Sequence, residues 1–347
     1  LQEYMSCKPW MAPHHPARML VLRFHAIGDV AITLPSCSGL RNRFPSSRID
    51  FLTHEVSSAL PSSLDLFDNI YTVRTTTNRW HRLDQIVRMG IDLRRENYDV
   101  IFDLQRNRVS RLLRFLAAPK AWTEFDRFSP LPAGVRVQQT VERTGFRDFL
   151  PCYSMNLKKN LRTQAETMLM QNGWDGQQSL VVLNPAGLFE SRNWPLDNYV
   201  DLAHLIAQDN GKVLLLGTTR LISKAVHIQK QLDSVVINLA GKTTLKEAFA
   251  LLQFASGVIT EDSGLMHMAW VSAIPTLAML GSTRHDWAMP LGSWSRCLHS
   301  WDLECGDCDE QFCRFGDVHC LTRYSPDFVF QEFQKLLAVS PPRAILS

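Results

Sequence analysis

The sequence has no apolar run long enough to cross a membrane. None of its 347 residues belong to a stretch that approaches the roughly 18 consecutive apolar residues of a transmembrane helix. The first residues also lack the apolar core and small-residue cleavage site of a signal peptide. An apolar fraction of 45% is nevertheless sufficient for real cores. We therefore expect a globular, cytoplasmic protein of about two domains.

The sequence has almost no excess of one charge sign over the other. It also lacks the common nucleotide-binding loops. The formal net charge is only +3, so a dedicated nucleic-acid-binding protein is not indicated. Gly241-Lys242-Thr243 resembles the end of a P-loop, but Val236 occupies the position of the first P-loop glycine. No G-x-G-x-x-G fingerprint occurs. These absences exclude an NTPase of the P-loop type.

What is present is an alternation of strand-like and helix-like segments. In the first half we expect strands at 19–24, 49–53, 69–73 and 99–104, with helices at 30–43 and 82–96. Residues 118–160 carry several prolines and predict loops with one helix, and a further helix follows at 157–172. Strands that alternate with helices favour a parallel sheet covered by helices on both faces.

The second half repeats this alternation. Predicted strands at 179–183, 212–216 and 235–238 each end in a loop rich in Gly, Asn or Thr. The stretch 257–283 then predicts strand, tight turn, helix and strand. Asp262 or Ser263 would cap that helix, and Gly264 would let a ligand approach the backbone. Ligands of open α/β sheets bind beyond the carboxyl ends of the strands, although a plain βαβ unit would show the same pattern.

Arginines are concentrated between positions 74 and 114, where ten arginines stand against five acids. Several share a predicted helix face. One interpretation is an ordinary solvated surface. The other is a basic surface that meets anionic lipid headgroups or a phosphorylated acceptor.

Four of the eight cysteines form a cluster with the spacing C-x2-C-x4-C-x6-C, at Cys305, Cys308, Cys313 and Cys320. Four thiols at such spacings can bind Zn or Fe tetrahedrally. Reduced or adventitiously paired thiols are the alternative. A metal here would have a structural role.

Several motifs, taken in order, resemble one family. They are IGDVAITLP at 27–35, NPAG…SRNWP at 184–195, NLAGKTTLKEAFALL at 238–252 and EDSGLMHMAWVSAIPTLAMLGST at 261–283. Together they resemble glycosyltransferase family 9, the bacterial lipopolysaccharide heptosyltransferases. The resemblance implies a GT-B fold, in which two Rossmann-like domains face each other across a cleft. It also implies an inverting mechanism that requires no catalytic cofactor.

The resemblance predicts the domain organisation. We expect a disordered leader at 1–18 and an acceptor-binding domain at 19–160. A nucleotide-sugar-binding domain with the cysteine cluster would follow at 161–325. A C-terminal helix at 326–347 would pack back on the first domain.

The resemblance also implies roles for individual residues. Asp29 is similar to the aspartate proposed as general base, which takes the proton of the attacking hydroxyl. Arg192 stands where the family has lysine, and it would neutralise the diphosphate leaving group. The other expected donor-binding residues are Asn184, Gly187, Gly217, Thr218, Lys242, Thr243, Asp262, Ser263, Gly264 and His267. The expected acceptor-side residues are Gly28, Arg106 and Arg108.

Two departures concern the donor. The acidic residue that grips the ribose in the family has no counterpart, because Leu221-Ile222-Ser223-Lys224 stands there. The loop at Gly241 lacks the methionine of some heptosyltransferases. Both departures leave the identity of the donor's base and sugar undecided.

His267 has an alternative role as a structural helix residue.

The resulting hypothesis is an inverting, metal-independent transfer of heptose from ADP-heptose to a lipopolysaccharide core. The acceptor would be an anionic glycolipid at the cytoplasmic face of the inner membrane, with the protein bound peripherally. One alternative keeps the fold but changes the donor or takes a protein acceptor. Another is a non-catalytic module that binds a sugar nucleotide. An epimerase would need its own acid–base pair, which the sequence does not offer.

Overall fold

The computed structural model describes residues 7–74, 76–146, 149–232 and 234–341. The chain divides into two compact units, Leu1–Asn156 and Leu157–Ser347. Each unit is built on one parallel sheet with helices, as expected for the two domains of a GT-B fold. The division falls after Asn156 rather than after residue 160.

Unit 1 holds a five-stranded parallel sheet in the order β3-β2-β1-β4-β5. The strands are β1 (Arg18–Leu22), β2 (Arg48–His54), β3 (Asn69–Val73), β4 (Val100–Asp103) and β5 (Ala121–Glu124). The helices are α1 (Ile27–Arg43), α2 (Arg79–Arg95), α3 (Arg108–Ala117) and α4 (Ala133–Glu142).

The central strands are apolar because both faces of the sheet are covered. Leu20 and Leu22 of β1 are fully buried, and they pack in one cluster with Leu52, Leu93 and Leu113. Leu93 comes from α2 and Leu113 from α3, so these two helices cover one face of the sheet. Parallel strands buried on both faces give the continuous apolar runs seen in the sequence.

The structure of unit 1 differs from expectation at two places. Strand β5 lies in the region predicted as loops, and it forms the edge of the sheet beside β4. The expected disordered leader is also different over its described part. Lys8 pairs with Trp122 of β5 in an antiparallel bridge, and the Trp10 amide donates to the Thr144 carbonyl at 2.9 Å. Residues 1–6 lie outside the described part of the chain.

Unit 2 holds a six-stranded parallel sheet in the order β11-β10-β9-β6-β7-β8. The strands are β6 (Ser179–Asn184), β7 (Gly211–Leu215), β8 (Val236–Asn238), β9 (Gly257–Glu261), β10 (Thr276–Met279) and β11 (Ser295–Leu298). The helices are α5 (Lys159–Gln171), α6 (Leu196–Gln208), α7 (Ile222–Gln231), α8 (Leu245–Leu252), α9 (Gly264–Trp270), α10 (His285–Ala288), α11 (His319–Thr322) and α12 (Pro326–Val339).

The strand order locates the expected ligand edge of each sheet. Counted within its own unit, the six-stranded sheet has the doubly wound order 3-2-1-4-5-6, and the five-stranded sheet has 3-2-1-4-5. In such sheets the chain reverses direction across the sheet between the first and fourth strands. Ligands bind beyond the carboxyl ends of the strands at this switch point. The switch points here are β1–β4 in unit 1 and β6–β9 in unit 2.

Helix α12 belongs to unit 2. Its buried face, formed by Val329, Phe333 and Leu336, lies in the core of that unit, where the helix packs against α6 and β10. A Cβ atom at Gly257 would approach the Phe333 ring to 2.6 Å, so glycine at this position permits the close contact. Packing of this helix on the first domain stays a prediction, and residues 342–347 lie outside the described part.

Candidate functional site

A buried carboxylate organises the switch point of unit 2. Glu261 is the last residue of β9 and is fully buried. Its two carboxylate oxygens accept backbone N–H groups from Gly187 at 2.6 Å and Trp194 at 2.7 Å. These two amides lie at opposite ends of one loop, so a single side chain fixes both ends. The loop carries Arg192 between them.

The surroundings of Glu261 have opposing effects on its pKa. Burial raises the pKa of this carboxyl to about 7, while the charge of Lys224 and the two N–H donors lower it. The Lys224 ammonium donates to the Pro185 carbonyl at 2.9 Å and also to the Asn193 side chain. Lys224 therefore holds the same loop from a second side.

The neighbouring strand β6 ends in a buried amide. The Asn184 side chain donates to the Leu216 carbonyl at 2.7 Å and accepts from the Ser263 hydroxyl at 2.8 Å. Ser263 in turn accepts the Met266 amide as the cap of α9. Asn184, 1% exposed, thus joins the ends of β6 and β7 to the turn after β9. The expected donor-binding residues Asn184 and Ser263 meet here.

Arg192 and Asp262, both predicted at the donor site, form an ion pair. The guanidinium Nη1 lies 2.9 Å from Asp262 Oδ2, and the two side chains are only 11% and 15% exposed. Asp262 also accepts from the Thr283 hydroxyl at 2.8 Å, and a second carboxylate, from Asp309, pairs with the other guanidinium nitrogen. The Phe189 ring lies 4.4 Å from the guanidinium carbon. A largely buried ion pair therefore lies at this edge of the sheet.

The remaining predicted donor residues lie in the loops after β7 and β8 and on helix α9. The Gly217 carbonyl accepts the Gly241 amide at 2.9 Å, which brings the loops after β7 and β8 together. Thr218 precedes a short 3-10 helix, and Lys242 donates to the Asn238 carbonyl at 2.9 Å. Thr243 lies beside it. His267 accepts the indole N–H of Trp270 at 3.0 Å, which supports its structural role.

Asp29 lies at the switch point of unit 1, in the first turn of α1. Its Oδ1 atom pairs with Arg23 at 2.8 Å, and its Oδ2 accepts the Ala26 amide at 2.9 Å. The Arg23 guanidinium is 9% exposed and the Asp29 side chain 38% exposed. Gly28, the expected acceptor-side glycine, is buried beside it. The carboxylate is thus oriented by a buried cation while it stays open to solvent.

A cavity of about 470 Å³ opens beside this turn. His25, Ala26 and Ile27 line it after β1, His54 lines it as the last residue of β2, and Arg74 lines it directly after β3. Arg82 of α2 and Thr76 complete this part of the wall. The His25 and His54 rings stack with their centroids 5.5 Å apart. Burial lowers the pKa of His25, and the neighbouring His54 and Arg23 lower it further.

The two other predicted acceptor-side residues do not line this cavity. Arg106 is 5% exposed and lies 3.5 Å from Glu124, which also pairs with Arg111 and Arg114. The structure therefore places Arg106 in a buried ionic cluster of unit 1 rather than at an accessible surface. Arg108 is exposed at the start of α3.

The predicted metal site at the cysteine cluster is not supported. Cys305, Cys308, Cys313 and Cys320 are free thiols. Across the described ranges of the chain, no group of three or more His, Cys, Asp or Glu side chains is arranged to hold a metal ion. The Cys305 sulfur instead lies 3.3 Å from the His319 ring, which contacts Asp317 at 2.9 Å.

Sequence reasoning missed the residues that support the site. In the sequence Glu261 stands out only as the first residue of a family motif, and Lys224 only as part of a departure from the family. Arg23 and the two cavity histidines were not singled out. A charged residue at the end of a buried apolar strand, as in GVITE and MLVLRF, is the signal that could have found Glu261 and Arg23.

Comparison with protein families decides the assignment of the chain. The family model described as "Glycosyltransferase family 9 (heptosyltransferase)" matches residues 86–319, more than half of the sequence. The chain belongs to glycosyltransferase family 9. This confirms the resemblance that the motifs indicated.

Individual relatives are more distant. The lipooligosaccharide heptosyltransferase 2 of Campylobacter jejuni is 28% identical over 174 residues, which cover 49% of this chain and 54% of that protein. The chain thus spans about half the length of this relative. A family 9 glycosyltransferase from Veillonella parvula has a TM-score of 0.78 at 17% identity, covering 93% of this chain and 97% of that one. The ADP-heptose lps heptosyltransferase II of Escherichia coli has a TM-score of 0.73 at 20% identity, with coverages of 92% and 98%. Both structures share the fold, which confirms the GT-B expectation.

Glu261 gives stability a distinctive pH dependence. A carboxyl whose pKa is raised from 4.5 to about 7 binds its proton more tightly in the folded chain. Its contribution to stability is present below pH 4.5 and is lost as the pH rises through 7. Between pH 5 and pH 8 the wild type should therefore lose roughly 2–3 kcal/mol of unfolding free energy relative to Glu261→Gln. Urea unfolding at several pH values measures this difference.

The control for this prediction is Glu166→Gln, which changes an exposed carboxylate on α5. It should follow the wild-type profile throughout. A difference between wild type and Glu261→Gln that stays constant from pH 5 to pH 8 would contradict the assignment of the titration to Glu261.

Proposed function

We propose that this protein is an inverting, metal-independent glycosyltransferase that moves heptose from ADP-heptose to an anionic glycolipid of the lipopolysaccharide core. The observation that carries the proposal is the pairing of Arg192 with Asp262 at the switch point of unit 2. Membership of family 9 supports the reaction type. The name of the E. coli structural relative supports ADP-heptose as donor.

In this proposal Asp29 is the general base. The acceptor hydroxyl attacks the anomeric carbon, the new C–O bond forms, and the bond to the diphosphate breaks in the same step. The hydroxyl proton passes to the Asp29 carboxylate. Arg23 supports this role because its buried guanidinium orients the carboxylate while leaving it exposed.

Arg192 would receive the negative charge that develops on the leaving diphosphate. A preorganised guanidinium in a partly buried site stabilises such charge without an additional ion. Its Nε atom is buried and has no hydrogen-bond partner within the described residues, so the protein does not satisfy every donor of this guanidinium. The diphosphate would compete with the more exposed Asp309 for the outer guanidinium nitrogen.

The cavity beside Asp29 is the proposed acceptor site. Its wall carries Arg74, Arg82 and two histidines, which suit the carboxylates or phosphates of an anionic glycolipid. The cavity adjoins the turn that holds the base, because the Ala26 backbone both lines it and donates to Asp29. A lipid-linked acceptor implies action at the cytoplasmic face of the inner membrane. Within the described residues, no helix combines the length and apolar character needed to span a bilayer.

The Asp29→Asn variant should retain donor binding and lose transfer. Asparagine can still accept the Ala26 amide but cannot take a proton, so kcat should fall by roughly 10²- to 10⁴-fold. Transfer kinetics and calorimetric titration with ADP-heptose measure the two quantities separately. Asp197→Asn, which changes the first-turn acid of α6, is the matched control and should leave both unchanged. Equal losses of affinity and turnover would argue against the base assignment.

The Arg192→Ala variant should weaken donor binding and slow transfer together. Loss of a charged hydrogen-bonding group predicts a decrease in donor affinity of roughly 10- to 100-fold. Arg192→Lys should recover part of it, because lysine keeps the charge without the bidentate fork. Arg323→Ala removes a comparable arginine, paired with Asp302, and serves as control. Wild-type kinetics for Arg192→Ala would remove this residue from the site.

A further inference from the structure

Helix α2 carries an apolar stripe that faces solvent. Trp80, Leu83, Val87 and Ile91 follow each other at intervals of three and four residues, so they share one helix face. They are 79%, 46%, 38% and 45% exposed. The core-facing residues of the helix, Ile86, Gly90 and Leu93, form a separate set. Helix α2 therefore has two apolar faces, one packed on the core and one exposed to solvent.

Helix α3 extends the stripe into a patch. The two helices pack side by side, and a Cβ atom at Gly90 of α2 would meet Leu116 of α3 at 2.5 Å. On the outside of α3, Leu112 and Phe115 are 36% and 79% exposed. We call the six residues of α2 and α3 the α2–α3 patch: Trp80, Leu83, Val87, Ile91, Leu112 and Phe115. Large exposed apolar patches of this kind mark interaction surfaces.

The surroundings of the patch are cationic. Arg79 and Arg108 are exposed, and so are Arg88 and Arg95, at 77% and 76%, which pair with Asp84 and Asp92. Helix α2 alone carries five arginines and two aspartates, although the whole chain has a net charge of only +3. Positive charge is thus concentrated around exposed aromatic and aliphatic side chains. An anionic lipid surface is complementary to both, because acyl chains accept the apolar groups and headgroups accept the arginines.

We propose that the α2–α3 patch docks unit 1 on the surface of an anionic phospholipid bilayer. This inference rests on the proposed function, since a lipid-linked acceptor gives the docking its purpose. Arg82 precedes Leu83 on α2 and lines the cavity beside Asp29. One helix therefore contributes both to the docking surface and to the wall of the acceptor cavity. Docking would bring the cavity close to the headgroups from which an acceptor projects.

Sedimentation with lipid vesicles tests the docking directly. The full chain is mixed with vesicles of phosphatidylcholine alone, or of phosphatidylcholine with phosphatidylglycerol, without donor or acceptor. We expect binding to the anionic vesicles, weak binding to the neutral ones, and loss of binding at high salt. Equal binding to both vesicle types, or to neither, would overturn the proposal.

Two variants test the patch itself. Trp80→Ser with Phe115→Ser should reduce binding to anionic vesicles by about tenfold or more. Arg79→Gln with Arg95→Gln should weaken it by several-fold and reduce its salt dependence. Trp301→Ser with Phe312→Ser is the matched control, because these aromatics of unit 2 are 70% and 61% exposed. Circular dichroism should show wild-type melting for every variant, since all these side chains are exposed.

Other occupants of the patch would give different results. A second copy of the chain would appear as an oligomer in sedimentation velocity without lipid, and the Trp80→Ser, Phe115→Ser variant would dissociate it; that result would overturn the proposal. Failure of the proposed function is distinguishable. It would appear as absent transfer from ADP-heptose to a delipidated acceptor, an assay that needs no membrane and that the patch variants should leave unchanged.

Discussion

The arrangement of unit 2 depends on one buried carboxylate that accepts two backbone amides. Glu261 accepts the N–H groups of Gly187 and Trp194, and the second of these hydrogen bonds is buried. A buried N–H without a partner is costly. The two hydrogen bonds fix both ends of the loop that carries Arg192. The guanidinium then meets Asp262, the residue directly after Glu261. Two consecutive acids at the end of β9 thus have separate tasks, one structural and one directed to the ligand edge.

The sheet of unit 1 has the same strand order as that of unit 2 over its first five strands, but a different residue type lies at its switch point. Its switch point presents Asp29, a carboxylate oriented by the buried Arg23, beside a cavity with histidines and arginines. Unit 2 presents a cation paired with acids at the corresponding edge. In the proposed function, Asp29 of unit 1 is the base and Arg192 of unit 2 is the charge-stabilising cation, the two groups that an inverting transfer requires. The common fold supplies the positions, and the residues at the strand ends supply the chemistry.

Much of the fold could be predicted from the sequence, because buried parallel strands are continuous apolar runs. Strand β3 has the predicted bounds. Strands β5 and β11 were missed because AWTE and SRCL are four-residue segments without a continuous apolar run. The family motifs pointed to Arg192 and Asp262 separately, but they predicted neither the pairing of these two residues nor the role of Glu261, because the partners are distant in sequence. The acceptor-side role of Arg106 stays a prediction, and its burial beside Glu124 could not be predicted because charge alone does not reveal a buried ion pair.

The most direct test of the account is the melting temperature of the full chain with added nucleotides. A ligand that binds only the folded chain raises this temperature by mass action. We expect ADP and ADP-heptose to raise it, and UDP and GDP compounds to have much smaller effects. Stabilisation by UDP or GDP compounds in place of ADP would contradict the donor assignment. No response to any nucleotide would contradict the claim that unit 2 holds a nucleotide-sugar site.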